Sequence, residues 1–230
     1  MKLAVVTRSD ENIKEMTSLT HPVIKSFAKK WDADFIILEH DAPCHRHYRI
    51  MEFRNLFGLY DRILSIDSDV IISTTCPNPF LLVPVPMIGS VFEDVGTREQ
   101  KRRKVIKNIQ ERFGDIGWKS GYINTGFAMF SKEHKDIFQS IDGHYWDGFG
   151  FDDAHLAYNI NKRHIPIYQL PYQYNHMTMF SEAWNRSADR FESFVIHYAG
   201  IGKFENRFKN RIENMRYDME ELWDQKHTRL

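Results

Sequence analysis

The amino-terminal third of the chain alternates between apolar runs with strand character and stretches with helical spacing. Residues 3–7, 34–38 and 63–66 are short apolar runs that predict three buried strands. Apolar residues recur at helical intervals in the two stretches between them, 12–31 and 48–60. This β-α-β-α-β order is typical of a parallel sheet with helices on its faces. The sequence therefore predicts an α/β fold with a mainly parallel central sheet.

The rest of the chain predicts a less regular succession of elements. A proline in the first predicted helix, at His21-Pro22, is expected to break or restart that helix, because proline has no amide hydrogen to donate. No repeat, low-complexity tract or linker divides the 230 residues, so we expect one domain. We expect further strands at 87–92, as a pair over 121–130 and at 193–197, and further helices at 98–113, 152–163 and 204–223.

Bulk composition disfavours several classes of protein. Thirty-one basic residues balance 31 acidic ones, so no net charge attracts nucleic acid or an anionic membrane. The two cysteines, Cys44 and Cys76, form no paired motif and indicate neither a zinc site nor a disulfide framework. The apolar run after Met1 is too short for a signal peptide, and no window approaches a membrane span. A cytoplasmic location is therefore expected.

Two carboxylates follow the third predicted strand directly, as Asp67-Ser68-Asp69, and apolar residues resume at Val70. Carboxylates are costly to bury without a partner, and at positions i and i+2 they can offer oxygens to one divalent cation. A solvated turn is the common alternative for an isolated Asp-x-Asp. The position favours a metal site, because ligands bind beyond the carboxyl ends of strands in open α/β sheets.

Two later segments combine glycine with polar side chains. Residues 121–130 place Asn124 and Gly126 against an apolar strand. A hairpin turn would account for this composition, but Gly126 could instead admit a ligand while Asn124 binds a sugar hydroxyl. Asp152 and Asp153 follow a Gly-Phe-Gly loop at a predicted helix start. One of them is expected to cap the helix, and the other could hold a sugar hydroxyl or face a reacting carbon.

His197 ends the last apolar run and lies six residues before Lys203. A lone histidine is most often structural. At a strand end it could instead bind a metal through its imidazole, while the lysine neutralises phosphate. Oxygen ligands together with one imidazole suit Mn²⁺ better than Ca²⁺.

In this order the motifs resemble those of nucleotide-sugar-dependent glycosyltransferases of the GT-A fold, above all the retaining families of glycogenin, bacterial galactosyltransferases and plant xyloglucan xylosyltransferases. The resemblance covers roughly residues 1–203. It rests on the aromatic residue, strand and Asp-x-Asp of 60–69, the Asn-x-Gly of 124–126, the acidic pair 152–153 and the His-x-x-Gly-x-x-Lys of 197–203.

The resemblance implies a single GT-A, Rossmann-like domain. Residues 1–72 would form its nucleotide-binding half, residues 73–203 the half for acceptor and donor sugar, and residues 204–230 a C-terminal helix. It also implies transfer from a nucleotide diphosphate sugar, such as a UDP-sugar, to a glycan or other hydroxyl acceptor. Retention of configuration and Mn²⁺ (or Mg²⁺) as cofactor belong to the same expectation.

The resemblance further implies roles for individual residues. The chain departs from the family's pattern at Asp153, where many relatives have glutamine, so the treatment of the reacting carbon stays open. The metal would be held by Asp67, Asp69 and His197, the nucleotide and its phosphates by Thr7, Arg8, Ser68, Lys203 and either Arg49 or Arg54, and the donor sugar would lie near Asn124, Gly126, Asp152 and Asp153.

Two other functions are compatible with parts of the sequence. Residues 98–112 are rich in Lys and Arg at helical spacing, which is typical of a solvated surface helix but also of an acceptor lid or an RNA-binding face. The zero net charge disfavours RNA. A sugar nucleotidyltransferase would share the fold and metal, but it usually has a glycine-rich basic loop after the first strand. Here Thr7 is followed by Arg-Ser-Asp-Glu-Asn.

Overall fold

The computed structural model describes residues 1–178, 188–200 and 205–227, with side chains of the last helix as far as Leu222. None of the helices in these ranges combines the length and the apolar character needed to cross a membrane. The strands of these ranges are β1 (Leu3–Arg8), β2 (Asp34–Leu38), β3 (Arg62–Ile66), β4 (Val70–Ile72), β5 (Ile88–Phe92), β6 (Ile123–Ser131), β7 (Ile167–Gln169), β8 (His176–Met177) and β9 (Val195–His197). The α-helices are α1 (Lys14–Lys30), α2 (Phe53–Leu56), α3 (Pro79–Leu82), α4 (Glu99–Phe113), α5 (Phe151–Lys162) and α6 (Arg211–His227).

Six strands form the central sheet, in the order β2-β1-β3-β6-β5-β7. β1 pairs in parallel with β2 and β3, and β5 pairs in parallel with β7. β6 runs antiparallel to both of its neighbours, β3 and β5. All strands of this sheet except β6 therefore point the same way, which confirms the predicted mainly parallel α/β sheet.

Helices cover both faces of the central sheet. Ile63 and Leu64 are neighbours on β3, and both are fully buried, yet they belong to different apolar clusters. Ile63 shares its cluster with Ile109 of α4 and Leu156 of α5, whereas Leu64 shares its cluster with Ile24 of α1. Successive side chains of a strand point to opposite faces. A strand covered on both sides needs apolar side chains on both faces, which Ile63 and Leu64 supply in β3.

A second, smaller sheet has the order β4-β9-β8. β4 and β9 are antiparallel, with Val70 opposite His197. The amide of Tyr198 donates a hydrogen bond of 2.9 Å to the carbonyl of Asp69. This pairing brings His197 beside the acidic segment that follows β3, although the two lie far apart in the sequence.

Four elements differ from the sequence-based prediction. The C-terminal helix, predicted from residue 204, begins at Arg211, because Asn210 caps it by accepting a hydrogen bond of 2.9 Å from the Glu213 amide.

α1 continues through Pro22, so the predicted break is wrong; its buried face, which includes Ile24 and Phe27, outweighs the one hydrogen bond that proline forfeits. The helix expected over 48–60 is a 3₁₀ helix followed by the single turn of α2. Residues 121–130 do not form a strand pair, because β6 pairs with β3 and β5 instead of folding back on itself.

A buried carboxylate ties α6 to the smaller sheet. Asp218 is fully buried and accepts hydrogen bonds of 2.7 and 2.8 Å from Arg190. It also accepts a bond of 2.6 Å from the hydroxyl of Tyr198. Because Tyr198 follows directly on His197, this contact couples α6 to the strand end that carries the histidine.

We expect Asp218→Ala to lower the free energy of unfolding by about 3 kcal/mol, because Arg190 and Tyr198 lose their buried acceptor. This loss lies at the lower end of what breaking a buried ion pair costs, because Arg190 still pairs with Glu205 in the variant. Urea denaturation measures the change. Glu220→Gln alters an exposed acid on the same helix and is expected to stay within about 0.5 kcal/mol of wild type. Equal stability of the two variants would contradict the anchoring role.

Candidate active site

Several of the predicted ligand-binding residues converge at one edge of the central sheet. β1 and β3 are parallel neighbours, so the segment 67–69 lies beside the end of β1. Thr7 Oγ1 and Ser68 Oγ lie 3.0 Å apart, and the Ser68 hydroxyl donates to the carbonyl of Arg8 at 2.6 Å. Both Thr7 and Ser68 are buried. These contacts fix the backbone of the acidic segment against β1.

Asp67, Asp69 and His197 form the one cluster of possible metal ligands in the described part of the chain, with ligand atoms within 4.8 Å of one another. His197 Nε2 lies 3.2 Å from Asp69 Oδ1 and 3.7 Å from Asp67 Oδ2. Burial raises the pKa of Asp69, but the charges of His197 and Arg211 and the hydrogen bond to His197 prevail and lower it to about 2. Burial lowers the pKa of His197, but Asp69 and Asp67 reverse this and leave it raised.

A chain of side-chain amides sets the orientation of His197. The amide of Gly126 donates to Asn124 Oδ1 at 2.9 Å, so this oxygen is the acceptor, and Asn124 Nδ2 donates to Glu93 at 2.6 Å. Asn175 Nδ2 donates to the same Asn124 oxygen at 2.7 Å. Asn175 Oδ1 is then the acceptor for His197 Nδ1, also at 2.7 Å. His197 therefore carries a proton on Nδ1 and directs Nε2 at the carboxylates, as metal-binding histidines commonly do.

Position 126 has no room for a side chain. A Cβ atom on Gly126 would lie 2.5 Å from Cε1 of His197 and 2.8 Å from both Asp67 Oδ2 and Asn124 Oδ1. The glycine allows the backbone of β6 to pass directly against Asp67 and His197.

Arg8 links the acidic segment to the start of α5. Its side chain is 8% exposed, and its guanidinium pairs with Asp67 on one side and with Asp152 on the other. Nη1 also donates to the carbonyl of His47 at 3.1 Å. A guanidinium keeps its proton in proteins. A permanent positive charge therefore lies between Asp67 and Asp152.

Neither Asp152 nor Asp153 caps α5 through its side chain. The helix follows Gly150, which has a left-handed backbone, and no side chain bonds to the first turn as a cap. Asp152 accepts a bond of 3.1 Å from Thr125 Oγ1, and Asp153 accepts bonds of 2.8 Å from the Thr125 amide and hydroxyl. Burial, then the charges of Asp152 and Glu93, raise the pKa of Asp153 well above its ordinary value. The expected cap is therefore wrong, because both carboxylates are held by β6 instead.

A cleft of about 280 Å³ opens beside these groups, and seven of its thirteen lining residues are charged. Arg49 lines it, donates to the carbonyl of His40 at 2.7 Å and lies 3.5 Å from Asp10. The full lining comprises Arg8, Ser9, Asp10, Ile13, Met16, Arg46, His47, Arg49, Asp67, Ser68, Asp69, Gly200 and Arg211.

Thr7 and Arg54, both predicted to contact the nucleotide, are not among the residues that line this cleft. Arg54, the alternative to Arg49, donates to Gln139 at 2.7 Å and lies 3.3 Å from Asp136. Of the two arginines, the cleft is lined by Arg49 and not by Arg54. Lys203 lies outside the described residues.

Three further residues reach the site without having been predicted from the sequence. Arg211, at the start of α6, lies 3.1 Å from Asp69 Oδ2. Asn175 orients the imidazole, as described above. His47 Nδ1 lies 3.6 Å from the nearest oxygen of Asp152. Of these three, only His47 could have been suspected from the sequence, because it lies in a histidine-rich segment. Nothing in the sequence around Arg211 or Asn175 indicates their contacts with the site.

The predicted basic helix, α4, turns part of its charge inward. Arg102 of α4 and Arg98, which directly precedes the helix, are buried and both pair with the buried Glu93 that follows β5. Arg103 lies 2.9 Å from the buried Asp94. The helix is therefore not simply a solvated surface helix, and these arginines neutralise buried acids. This pairing favours a structural role for them over an RNA-binding face.

The donor set of the Asp67, Asp69 and His197 cluster fits a divalent cation. Two carboxylates and one imidazole, with Nε2 directed at both acids, match the ligand preferences of Mn²⁺, and Mg²⁺ shares the preference for carboxylate oxygen. The three residues would fill only part of an octahedral shell, so ligand oxygens or water would complete it.

A search of solved structures finds glycosyltransferases with a similar fold. A glycosyltransferase involved in the glycosylation of the major capsid of PBCV-1 has a TM-score of 0.55 at 15% identity, over 87% of this chain and 96% of that one. The galactosyltransferase LgtC, in complex with donor and acceptor sugar analogs, has a TM-score of 0.59 at 14% identity, over 96% and 95%. Apo GlyE from Streptococcus pneumoniae TIGR4 has a TM-score of 0.57 at 12% identity, over all of this chain and 64% of GlyE.

No model of a known protein family matches the sequence. A search of curated proteins finds no match either. At the identities of the solved structures the likeness establishes the fold alone. The chain has the α/β fold of the GT-A glycosyltransferases.

Proposed function

We propose that the chain is a metal-dependent glycosyltransferase that moves a sugar from a nucleotide diphosphate sugar to a hydroxyl acceptor. The observation that carries this proposal is the cluster of Asp67, Asp69 and His197 beside a charged cleft at the end of the sheet. Sugar transfer from a nucleotide diphosphate leaves an anionic diphosphate, which a cation with free coordination positions can hold. The fold, which is similar to that of known glycosyltransferases, supports the proposal independently of the cluster.

The finer parts of the proposal come from the motif resemblance. The donor is a UDP-sugar, the cation Mn²⁺ (or Mg²⁺), and the acceptor a glycan or another hydroxyl compound. Residues 1–72 serve the nucleotide and 73–203 the sugars, within one domain. Lys203 stays a proposed ligand of the diphosphate. Transfer proceeds with retention, in which the departing phosphate deprotonates the acceptor and no dedicated protein base is required.

The residues divide between the two ends of the donor. Arg49 and Ser68, which line the cleft, serve the nucleotide side together with Thr7, and when bound the cation would supply positive charge to the leaving diphosphate. Asp153 serves the sugar side, where its ionised form stabilises the positive charge that develops on the reacting carbon. Because the pKa of Asp153 is raised, this ionised form gains population as the pH rises.

The two alternatives are less favoured. A sugar nucleotidyltransferase would need a phosphate-binding loop after β1, and residues 9–12 contain neither glycine nor lysine. A nucleic-acid-binding role through residues 98–112 would need their arginines to face outward, whereas Arg98 and Arg102 pair with the buried Glu93.

We expect Mn²⁺ and UDP to bind together, each at least about tenfold more weakly when alone, because the metal cluster leaves coordination positions for diphosphate oxygens. Calorimetry of UDP with Mn²⁺ and with a chelator measures this. Release of UDP from UDP-sugars in the presence of Mn²⁺ tests the transferase activity itself. Equal affinity for UDP in the chelator would overturn metal dependence.

We expect Asp69→Asn to weaken Mn²⁺-dependent UDP binding by at least about tenfold. Since its pKa falls from 3.8 to about 2, the Asp69 carboxylate adds roughly 2 kcal/mol to folding stability above pH 4, and this contribution is lost as the pH falls towards 2. The variant should therefore be less stable than wild type at pH 7 and equally stable near pH 2. Asp10→Asn, on a cleft carboxylate paired with Arg49, is the control. Equal effects of the two variants on Mn²⁺-dependent binding would argue against Asp69 as a ligand.

We expect Asp153→Asn to lower turnover at least about tenfold, or roughly 1.4 kcal/mol of transition-state stabilisation, with UDP affinity unchanged. Wild-type turnover should rise with pH as Asp153 ionises, and the variant should lose this rise. Asp152→Asn should instead weaken binding of the intact donor, because Arg8 loses a partner. Wild-type rates in both variants would show that the pair takes no part in transfer.

A further inference from the structure

Each aspartate of the metal cluster is shared with an arginine. Asp67 directs Oδ2 at His197, at 3.7 Å, while its Oδ1 pairs with Arg8. Asp69 directs Oδ1 at His197, at 3.2 Å, while its Oδ2 lies 3.1 Å from Arg211. Each carboxylate therefore offers one oxygen to the cluster and gives the other to a guanidinium.

Arg8 is the more enclosed of the two arginines. Its side chain is 8% exposed, against 23% for Arg211. Charges buried in this way are screened little by solvent and salt. A divalent cation on Asp67 would therefore meet strong repulsion from the guanidinium that already occupies the same carboxylate.

Arg8 also has a second anchor that does not involve the metal cluster. Nη1 bonds to Asp152 and to the carbonyl of His47, whereas Nη2 bonds to Asp67. The contact with Asp67 can thus be given up while the other end of the guanidinium stays bound. The freed Nη2 would lie at the cleft, which Arg8 itself lines.

We propose that Arg8 is an internal counter-ion that competes with the divalent cation for Asp67 and exchanges this carboxylate for a phosphate oxygen of the incoming nucleoside diphosphate. The inference rests on the metal-dependent function proposed above and assigns this residue a task within it. Without a ligand, Arg8 neutralises Asp67 and disfavours binding of the cation. A diphosphate supplies the negative charge that offsets both cations, and guanidinium donors match phosphate oxygens in geometry.

The consequence is that the site is loaded by the cation and the diphosphate together. An enzyme with a free acidic cluster would bind the metal first and the nucleotide afterwards. Here the repulsion between Arg8 and a cation on Asp67 is relieved only when the cation and the diphosphate are both bound. The dependence of metal binding on the nucleotide then comes mainly from Arg8, the more buried of the two arginines, and is weakened when this residue is substituted.

The test measures binding of Mn²⁺ alone, from the free Mn²⁺ signal in electron paramagnetic resonance. We expect Arg8→Gln to bind Mn²⁺ without nucleotide at least tenfold more tightly than wild type, and to gain less affinity when UDP is added. Arg49→Gln removes a positive charge from the same cleft but contacts Asp10 and His40 instead of the cluster. Its affinity for Mn²⁺ alone should stay within about twofold of wild type.

The possible results separate the inference from the function on which it rests. If Arg8→Gln binds Mn²⁺ no more tightly than wild type while wild type binds Mn²⁺ with UDP, the role of Arg8 is wrong and the metal-dependent function stands. If wild type binds no Mn²⁺ even with UDP, both are wrong. If Arg49→Gln gained as much affinity for Mn²⁺ alone as Arg8→Gln, the effect would come from the total charge of the cleft, and the proposal would also be overturned.

A second measurement does not depend on the folding of Arg8→Gln, which removes the guanidinium that pairs with the buried Asp152. The side-chain ¹⁵N resonance of Arg8 can be followed in wild type, with its assignment taken from Arg8→Lys. We expect Mg²⁺ with UDP to shift this resonance and Mg²⁺ alone to leave it in place. An unchanged resonance in the presence of both would show that Arg8 keeps Asp67, and the proposed exchange would be wrong.

Discussion

The pairing of β4 with β9 is the contact on which the site depends. It sets Val70 opposite His197 and lets the Tyr198 amide bond to the Asp69 carbonyl. A shift of one residue in this register would turn His197 to the opposite face of the sheet, since side chains alternate along a strand. The hydrogen bond from the Tyr198 hydroxyl to Asp218 of α6 also stabilises this register, because Tyr198 directly follows β9. The smaller sheet and α6 are therefore part of the construction of the site.

Two kinds of contact hold the site, and they differ in how readily they can change. The path from Gly126 through Asn124 and Asn175 to His197 consists of hydrogen bonds in which each donor and acceptor is already assigned. All four residues are buried or lie in fully buried strand sequence, so breaking one bond would leave a polar group without a partner. The contacts of Arg8 with Asp67 are ionic and border an open cleft, where another anion can take over the partner.

The sequence predicts those features that depend on local pattern. The apolar runs of β1 and β3 predict strands covered on both faces, and β-α-β alternation predicts their parallel pairing. Because the ends of parallel neighbours meet at one edge, the position of Asp67 and Asp69 beside Thr7 follows from the same pattern. At Gly126 the sequence predicted a close approach to a ligand, and the structure shows a close approach of the β6 backbone to His197 and Asp67 of the chain itself.

Features that depend on tertiary contacts could not be predicted in this way. Arg211 reaches Asp69 only because α6 is anchored to β9, and nothing in the local sequence around Arg211 indicates that contact. The continuity of α1 through Pro22 likewise depends on how much apolar surface the helix buries. For Asp152 and Asp153, the local signal for a helix cap was real, but Thr125 of a neighbouring strand offers both carboxylates a partner.

Charge balance explains why an acidic site of this kind can fold before any ligand arrives. Asp67, Asp69 and Asp152 lie close together in a largely buried setting, and their mutual repulsion would oppose folding if no positive charge accompanied them. Arg8 and Arg211 supply that charge from within the chain, so the folded state needs no cation. Under the metal-dependent function proposed above, the same neutralisation would make the site a poorer ligand for a cation on its own. Folding without the metal and binding of the metal would then make opposing demands on the same carboxylates, and a ligand that brings its own negative charge would satisfy both.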